Sequence, residues 1–117
     1  MNDLKEHQNL CNKFLDRFNL IQQKMLDLNL AEAHKNFEVF YKEAEEYFKG
    51  IAKSIINAKR GEEKFLLKKQ TALLLKNIDL LNTENKRLPE LNESQIILHF
   101  EKQLVFKKIL KRQITHL

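Results

Sequence analysis

Apolar side chains recur along this chain in alternating steps of three and four. The first run is Leu4, His7, Cys11, Phe14, Phe18, Ile21, Met25 and Leu28. The second is Leu30, His34, Phe37, Tyr41, Ala44, Phe48, Ile51, Ile55 and Ala58. The third is Leu67, Thr71, Leu74, Ile78, Leu81, Asn85 and Leu88. Such steps keep side chains on one side of an α-helix. The pattern predicts an all-α fold: antiparallel helical hairpins forming a four-helix bundle with coiled-coil-like packing.

The punctuation between stripes sets the boundaries. The first helix is expected over about residues 3–28. The stripe then changes phase, because continuing the first heptad would put Glu32 and Lys35 on the seam. A tight turn near Asn29 explains the change. The alternative is one long bent helix whose seam is completed by another molecule. The second helix is expected over 31–59, with Gly50 inside it marking close packing or a bend. Lys59, Arg60 and Gly61 make a helix stop: basic residues in the last turn, then a glycine able to take positive φ. Glu62 and Glu63 open the third helix, where negative charge complements the helix dipole. That helix ends near Arg87, because Pro89 disfavours helical geometry at Leu88. Asn92 and Gln95 resemble a capping box that starts the fourth helix, over 93–115.

The fourth helix differs. Ile96, Phe100, Leu104, Leu110, Ile114 and Leu117 make a broad face, while Leu98, Val105 and Ile109 fall on the opposite side. A helix that is apolar on two sides is covered on two sides. Leu98, Val105 and Ile109 are therefore the candidate partner-binding residues. The partner expected there is another protein or a second copy, giving a homo- or hetero-oligomer.

Composition changes this picture only modestly. One domain is expected from 117 residues. With two glycines and one proline, the chain has little turn chemistry for a sheet protein. A single cysteine, Cys11, cannot form an internal disulfide. No secretory signal is evident and no apolar run suffices for a membrane span, so a reducing cytoplasm is expected. The formal charge is +5, unevenly spread. Residues 31–49 carry five glutamates against three lysines, whereas 99–117 carry five basic residues against one glutamate. Within that tail, Lys107, Lys108, Lys111 and Arg112 are candidate phosphate-binding residues for nucleic acid or anionic lipid. Lys64, Lys68 and Lys69 add positive charge near the start of the third helix.

Motifs for catalysis are missing. The sequence has no P-loop, dinucleotide-binding glycine pattern, paired-cysteine module or His-Glu-x-x-His. His7, Cys11 and His34 are the one conceivable metal set, but all three fit core stripes and a fourth ligand is lacking. Glu38, Glu45 and Glu46 suggest carboxylate ligation, yet no glutamate is followed three residues later by the histidine that di-iron bundles use. Arg112 and His116 invite comparison with helical ribonucleases of the HEPN class, whose arginine and histidine stand farther apart than the three intervening residues here. No catalytic residue, metal or cofactor is assigned.

In size and helix pattern the chain resembles flagellar and type III export chaperones. The resemblance is one of architecture and implies a small chaperone, adaptor or assembly subunit. The expected function is a non-catalytic, protein-binding helical module. A nucleic-acid-associated accessory protein using the basic fourth helix is the alternative.

Overall fold

The computed structural model describes residues 3–115, with the side chains at 3, 51–53, 55 and 115 outside the description. Ile51 and Ile55 of the second stripe therefore lie outside the described side chains, and His116 and Leu117 outside the described residues. Helices account for 91% of the described residues, with no strand among them, and they pack into an all-α bundle. They are α1 (Asp3–Leu26), α2 (Leu30–Lys49), α3 (Ile51–Ala58), α4 (Gly61–Asn85) and α5 (Glu93–Thr115), with a 3₁₀ turn at Leu88–Glu90. The principal extents are 46 × 21 × 20 Å. α1 packs on α2 and α5, and α4 on the same two helices, so the four long helices form a square. α3 continues α2 past a break and lies mainly against α2 and α4.

The turn that separates α1 from α2 forms without glycine. Leu28 takes φ +63°, and the Asn29 and Leu28 amides donate to the Lys24 and Met25 carbonyls at 2.9 and 3.0 Å. This is the Schellman pattern, with Leu28 in the left-handed position that glycine ordinarily fills. The first helix thus ends two residues earlier than its stripe, at Leu26, and Leu28 is exposed rather than on the seam. The long bent helix is not formed.

At Gly50 the predicted second helix breaks. Its ψ of −85° departs from helical geometry, and its amide donates to both the Glu46 and Tyr47 carbonyls. A side chain there would stand 3.2 Å from the Glu46 carbonyl oxygen, so glycine permits the break. Ala58, assigned to the seam, is exposed. Gly61 does adopt positive φ, +61°, but as the first residue of α4. The capping box is formed as written in the sequence. The Asn92 amide donates to Gln95 Oε1 at 3.0 Å and the Gln95 amide to Asn92 Oδ1 at 2.9 Å.

Each stripe packs inward. On α1 and α2 the described stripe residues from His7 to Met25 and from Phe37 to Phe48 are buried, with Leu4, Leu30 and His34 half-buried. α2 buries a wider face than its heptad, adding Ala33, Phe40 and Tyr47. Every member of the third stripe, from Leu67 to Leu88, is buried. The middle of the bundle is aromatic. The Phe18 ring lies 4.9 Å from Phe106 and 5.3 Å from both Phe37 and Phe40, centroid to centroid. Burying a side chain of this size is worth roughly 1.5–3 kcal/mol before such pair terms.

The core face of α5 is the main correction. Its buried row is Ile96, His99, Gln103, Phe106, Leu110 and Gln113, again in steps of three and four. Half of this row is polar, so an apolar search misreads the helix. Leu104 is exposed and Phe100 and Ile114 only half-buried, whereas Ile109 belongs to the core.

Each polar side chain of the row has a partner on another helix, although Gln103 Nε2 and His99 Nε2 are buried without one. Gln103 Oε1 accepts from Gln22 on α1 at 2.8 Å, and Lys107 donates to Gln22 Oε1 at 3.0 Å. Toward the start of α1, His7 joins all four long helices. Its Nδ1 accepts from the Tyr47 hydroxyl at 2.5 Å and its Nε2 donates to Gln113 Oε1 at 3.0 Å. Gln113 in turn reaches Thr71 Oγ1 at 3.4 Å. At the opposite end, Asn85 Nδ2 donates to the His34 carbonyl at 3.0 Å, and His34 Nδ1 donates to the Asn85 carbonyl at 2.6 Å. Buried polar groups need such partners, because an unmade bond costs about 1–3 kcal/mol.

Candidate binding face between α4 and α5

The three candidate partner residues part company in the structure. Leu98 and Val105 are 57% and 50% exposed, whereas Ile109 is 7% exposed and packs in the core. Ile109 is thus removed from the surface set. Its place is taken by α4, which carries leucine doublets every seven residues: Leu66-Leu67, Leu73-Leu74 and Leu80-Leu81. The second leucine of each doublet is buried. The first is exposed, by 48%, 40% and 55% respectively. Successive residues on a helix are turned by about 100°, so each doublet places one leucine in the core and the other beside it on the surface. The doublets are visible in the sequence, but reading one stripe per helix hides the second.

Leu80 and Val105 line a cleft of about 190 Å³ with Asn77, Leu81, Glu84 and Lys102. A second cleft of about 190 Å³ continues from it, sharing Glu84 and Lys102 and reaching Leu98, Leu91 and Arg87. The two form one interrupted groove along the α4–α5 seam. The interruption is a polar clamp: Glu84 pairs with Lys102 and accepts from His99 Nδ1 at 3.0 Å. Burial alone would raise the Glu84 pKa. The bonds from Lys102 and His99 outweigh it and hold the carboxyl below its ordinary value. Each cleft is smaller than the roughly 300–1,000 Å³ of ordinary small-molecule sites. Their size suits single side chains projecting from a helix.

A larger cleft, about 360 Å³, lies between α1 and α2. Its exposed apolar side chains are Leu20 and Val39, and its rim is occupied by Arg17, paired with Glu43 at 2.5 Å, and Lys24, paired with Glu32. It lacks the repeated leucines of the α4–α5 face.

Of the four candidate phosphate ligands, Lys108, Lys111 and Arg112 are exposed. Lys107 is half-buried and held by Gln22; burial, with Lys111 nearby, lowers its pKa. Because α4 and α5 run antiparallel, the Thr71–Gln113 contact brings Lys68 and Lys69 to the same end of the bundle as Arg112. The sequence shows these two basic groups separately; the fold joins them. Residues 61–72 and 106–115 together carry seven basic side chains against two acidic ones. At the other end, residues 78–102 carry five acidic against three basic.

His7, Cys11 and His34 do not converge. Cys11 Sγ lies 3.8–4.0 Å from the His7 ring nitrogens. His34 precedes Tyr47, the partner of His7, by thirteen residues on α2, about 20 Å along the helix. Among the described residues no group of three or more His, Cys, Asp or Glu side chains could hold a metal ion. Glu38 and Glu46 are exposed, and Glu45 pairs with Lys49 at 2.7 Å. Burial lowers the His7 pKa, partly opposed by its bond to Gln113, and pushes the Cys11 thiol up to about 12. No helix of the described chain is long and apolar enough to cross a membrane.

Comparison with known proteins finds no matching protein-family model and no significant similarity to a curated protein or a solved structure.

Proposed function

We propose that this protein is a non-catalytic binding module whose α4–α5 face docks another protein surface. One observation carries the reading. Leu66, Leu73 and Leu80 form a heptad row outside a core already filled by Leu67, Leu74 and Leu81, and the row continues across the groove to Leu98 and Val105. A solvated helix has no folding use for a second leucine row, and contiguous apolar patches of this kind mark interaction sites. The two small clefts are of a size to take side chains from an amphipathic helix laid into a groove. A chaperone, adaptor or assembly subunit in a reducing cytoplasm fits such a surface and the single buried thiol.

Site-specific photo-crosslinking in the native cell tests this. A crosslinker at Leu80 or Leu98 is expected to capture protein, while one at Leu20 or Val39 is not. Equal capture at all four positions, or capture only at Leu20 and Val39, would refute the assignment.

A second reading rests on the joined basic end. Lys68, Lys69, Lys108 and Arg112 offer a surface for nucleic-acid phosphates, and binding of that kind falls steeply with salt. Retention of the chain on duplex DNA at low salt, lost in a Lys108→Glu/Arg112→Glu variant, would favour it.

A further inference from the structure

We infer that the occupant of the α4–α5 face is a second copy of this chain, turned by a two-fold axis so that the helices of the two copies run antiparallel. The inference rests on the binding reading above and names its partner. The α4–α5 half of the bundle is basic at the end built from 61–72 and 106–115 and acidic at the end built from 78–102. A two-fold rotation sets each basic end against the acidic end of the other copy, whereas parallel pairing sets like against like. Complementary ends fix orientation and register in helical pairs.

The contacts of Thr71 with Gln113 and of Glu84 with His99 and Lys102 fix α5 against α4. Asn77 shares its cleft with Val105 and lies midway between the exposed leucines Leu73 and Leu80. An axis near Asn77 places Leu73 opposite Leu80 of the second copy, twice by symmetry. Leu66, eleven residues before Asn77, stands about 16 Å along α4 on one side of the axis. Leu98, in the cleft with Glu84 and Arg87, stands about 10–15 Å on the other. The rotation therefore brings Leu66 to the level of Leu98 of the second copy. An isologous interface requires this self-complementarity.

The bundle is 46 Å long and about 20 Å across, so one of its sides is large enough to hold the roughly 800 Å² per partner of a standard interface.

Charge reversal in two complementary variants tests the pairing. One variant is Lys69→Glu/Lys108→Glu/Arg112→Glu, and the other is Glu90→Lys/Glu101→Lys. All five side chains are exposed, and circular dichroism melts confirm that each variant folds. In sedimentation velocity the wild type is expected near 28 kDa, twice its 14.0 kDa chain. Each variant alone is expected as a monomer, because both of its junctions now repel. An equimolar mixture is expected to recover the dimer, because both junctions of the mixed pair attract. A variant that does not fold is replaced by Leu73→Asp, which removes the central leucine pair and is also expected to be monomeric. A wild type that stays monomeric at about 100 µM, a concentration sufficient for micromolar association, overturns the inference. So does a mixture that remains monomeric, or charge-reversed variants that each stay dimeric. A monomeric wild type that still crosslinks other proteins through Leu80 and Leu98 overturns the second copy alone. The absence of any crosslink there overturns the binding reading as well.

Discussion

Replacing Phe18 with alanine is expected to be the most damaging single truncation in the bundle. The ring is fully buried and meets Phe106 on α5 at 4.9 Å, Phe37 and Phe40 on α2 at 5.3 Å, and Tyr41 at 6.3 Å. The truncation therefore opens a void that touches three helices, and the rigid rings around it cannot collapse to fill it. Phe→Ala changes in cores cost about 3–5 kcal/mol, rising with the cavity left behind. Each lost aromatic pair adds about 0.5–1.5 kcal/mol beyond area, so the upper end of the range is expected, about 4–5 kcal/mol. For a chain of this size that corresponds to a fall in Tm of roughly 15–20 °C. Urea denaturation followed by far-UV circular dichroism measures the loss, with Leu20→Ala as the surface control, expected to move by less than about 0.5 kcal/mol. A Phe18→Ala loss under about 1 kcal/mol, with an unchanged denaturant slope, would mean that this aromatic layer is not the centre of the core.

Three further substitutions probe features the structure adds. Leu28→Gly relieves a left-handed strain of about 1–2 kcal/mol but loosens the unfolded chain, so a net gain of about 0.5–1 kcal/mol is expected in thermal melts. A loss there would show that Leu28 packs in a way its exposure does not reveal. For His7, burial holds the folded pKa below the ordinary 6.5 while the unfolded chain titrates at that value. The unfolded state then binds the extra proton, so stability is flat above about pH 7 and falls as pH drops through 6.5 toward the folded pKa. A His7→Gln variant is expected to flatten that part of the urea-midpoint profile, and an unchanged profile would refute the role. Exchanging Gln22 and Gln103 together for leucine removes both partners of their buried bond and leaves only Lys107, half-buried, to turn its ammonium toward water, so a smaller cost than that of the single change is expected. The single Gln22→Leu change leaves Gln103 unpaired and is expected to cost about 1–3 kcal/mol. Equal effects from the single and double variants would refute the coupling.

The sequence reveals the helices well because their cores are apolar at fixed spacing. The third stripe, Leu67 to Leu88, is buried in full, and the reciprocal Asn92–Gln95 cap forms because its chemistry is local. Two kinds of information are hidden. Gly50 breaks a helix whose stripe continues on both sides, since a glycine in a heptad indicates tolerance for a break but not its occurrence. On α5, His99, Gln103 and Gln113 are core residues only because Glu84, Gln22 and His7 lie across from them, and a single strand of sequence does not show those pairings. The same polarity makes Ile109 read as a surface residue in the sequence, although it packs in the core. The exposed apolar row is half legible: Leu98 and Val105 stand out on α5, while the α4 leucines hide beside stronger core neighbours.

Cys11 turns the fold into its own clock. Its thiol is fully buried beside His7, and burial lifts its pKa to about 12, so the folded chain presents almost no reactive thiolate at neutral pH. Alkylation of this sole cysteine then proceeds only when α1 leaves the bundle. The labelling rate, followed by mass spectrometry without any engineered probe, reports how often that helix opens. Comparing it with global unfolding shows whether α1 departs alone or only with the rest of the bundle.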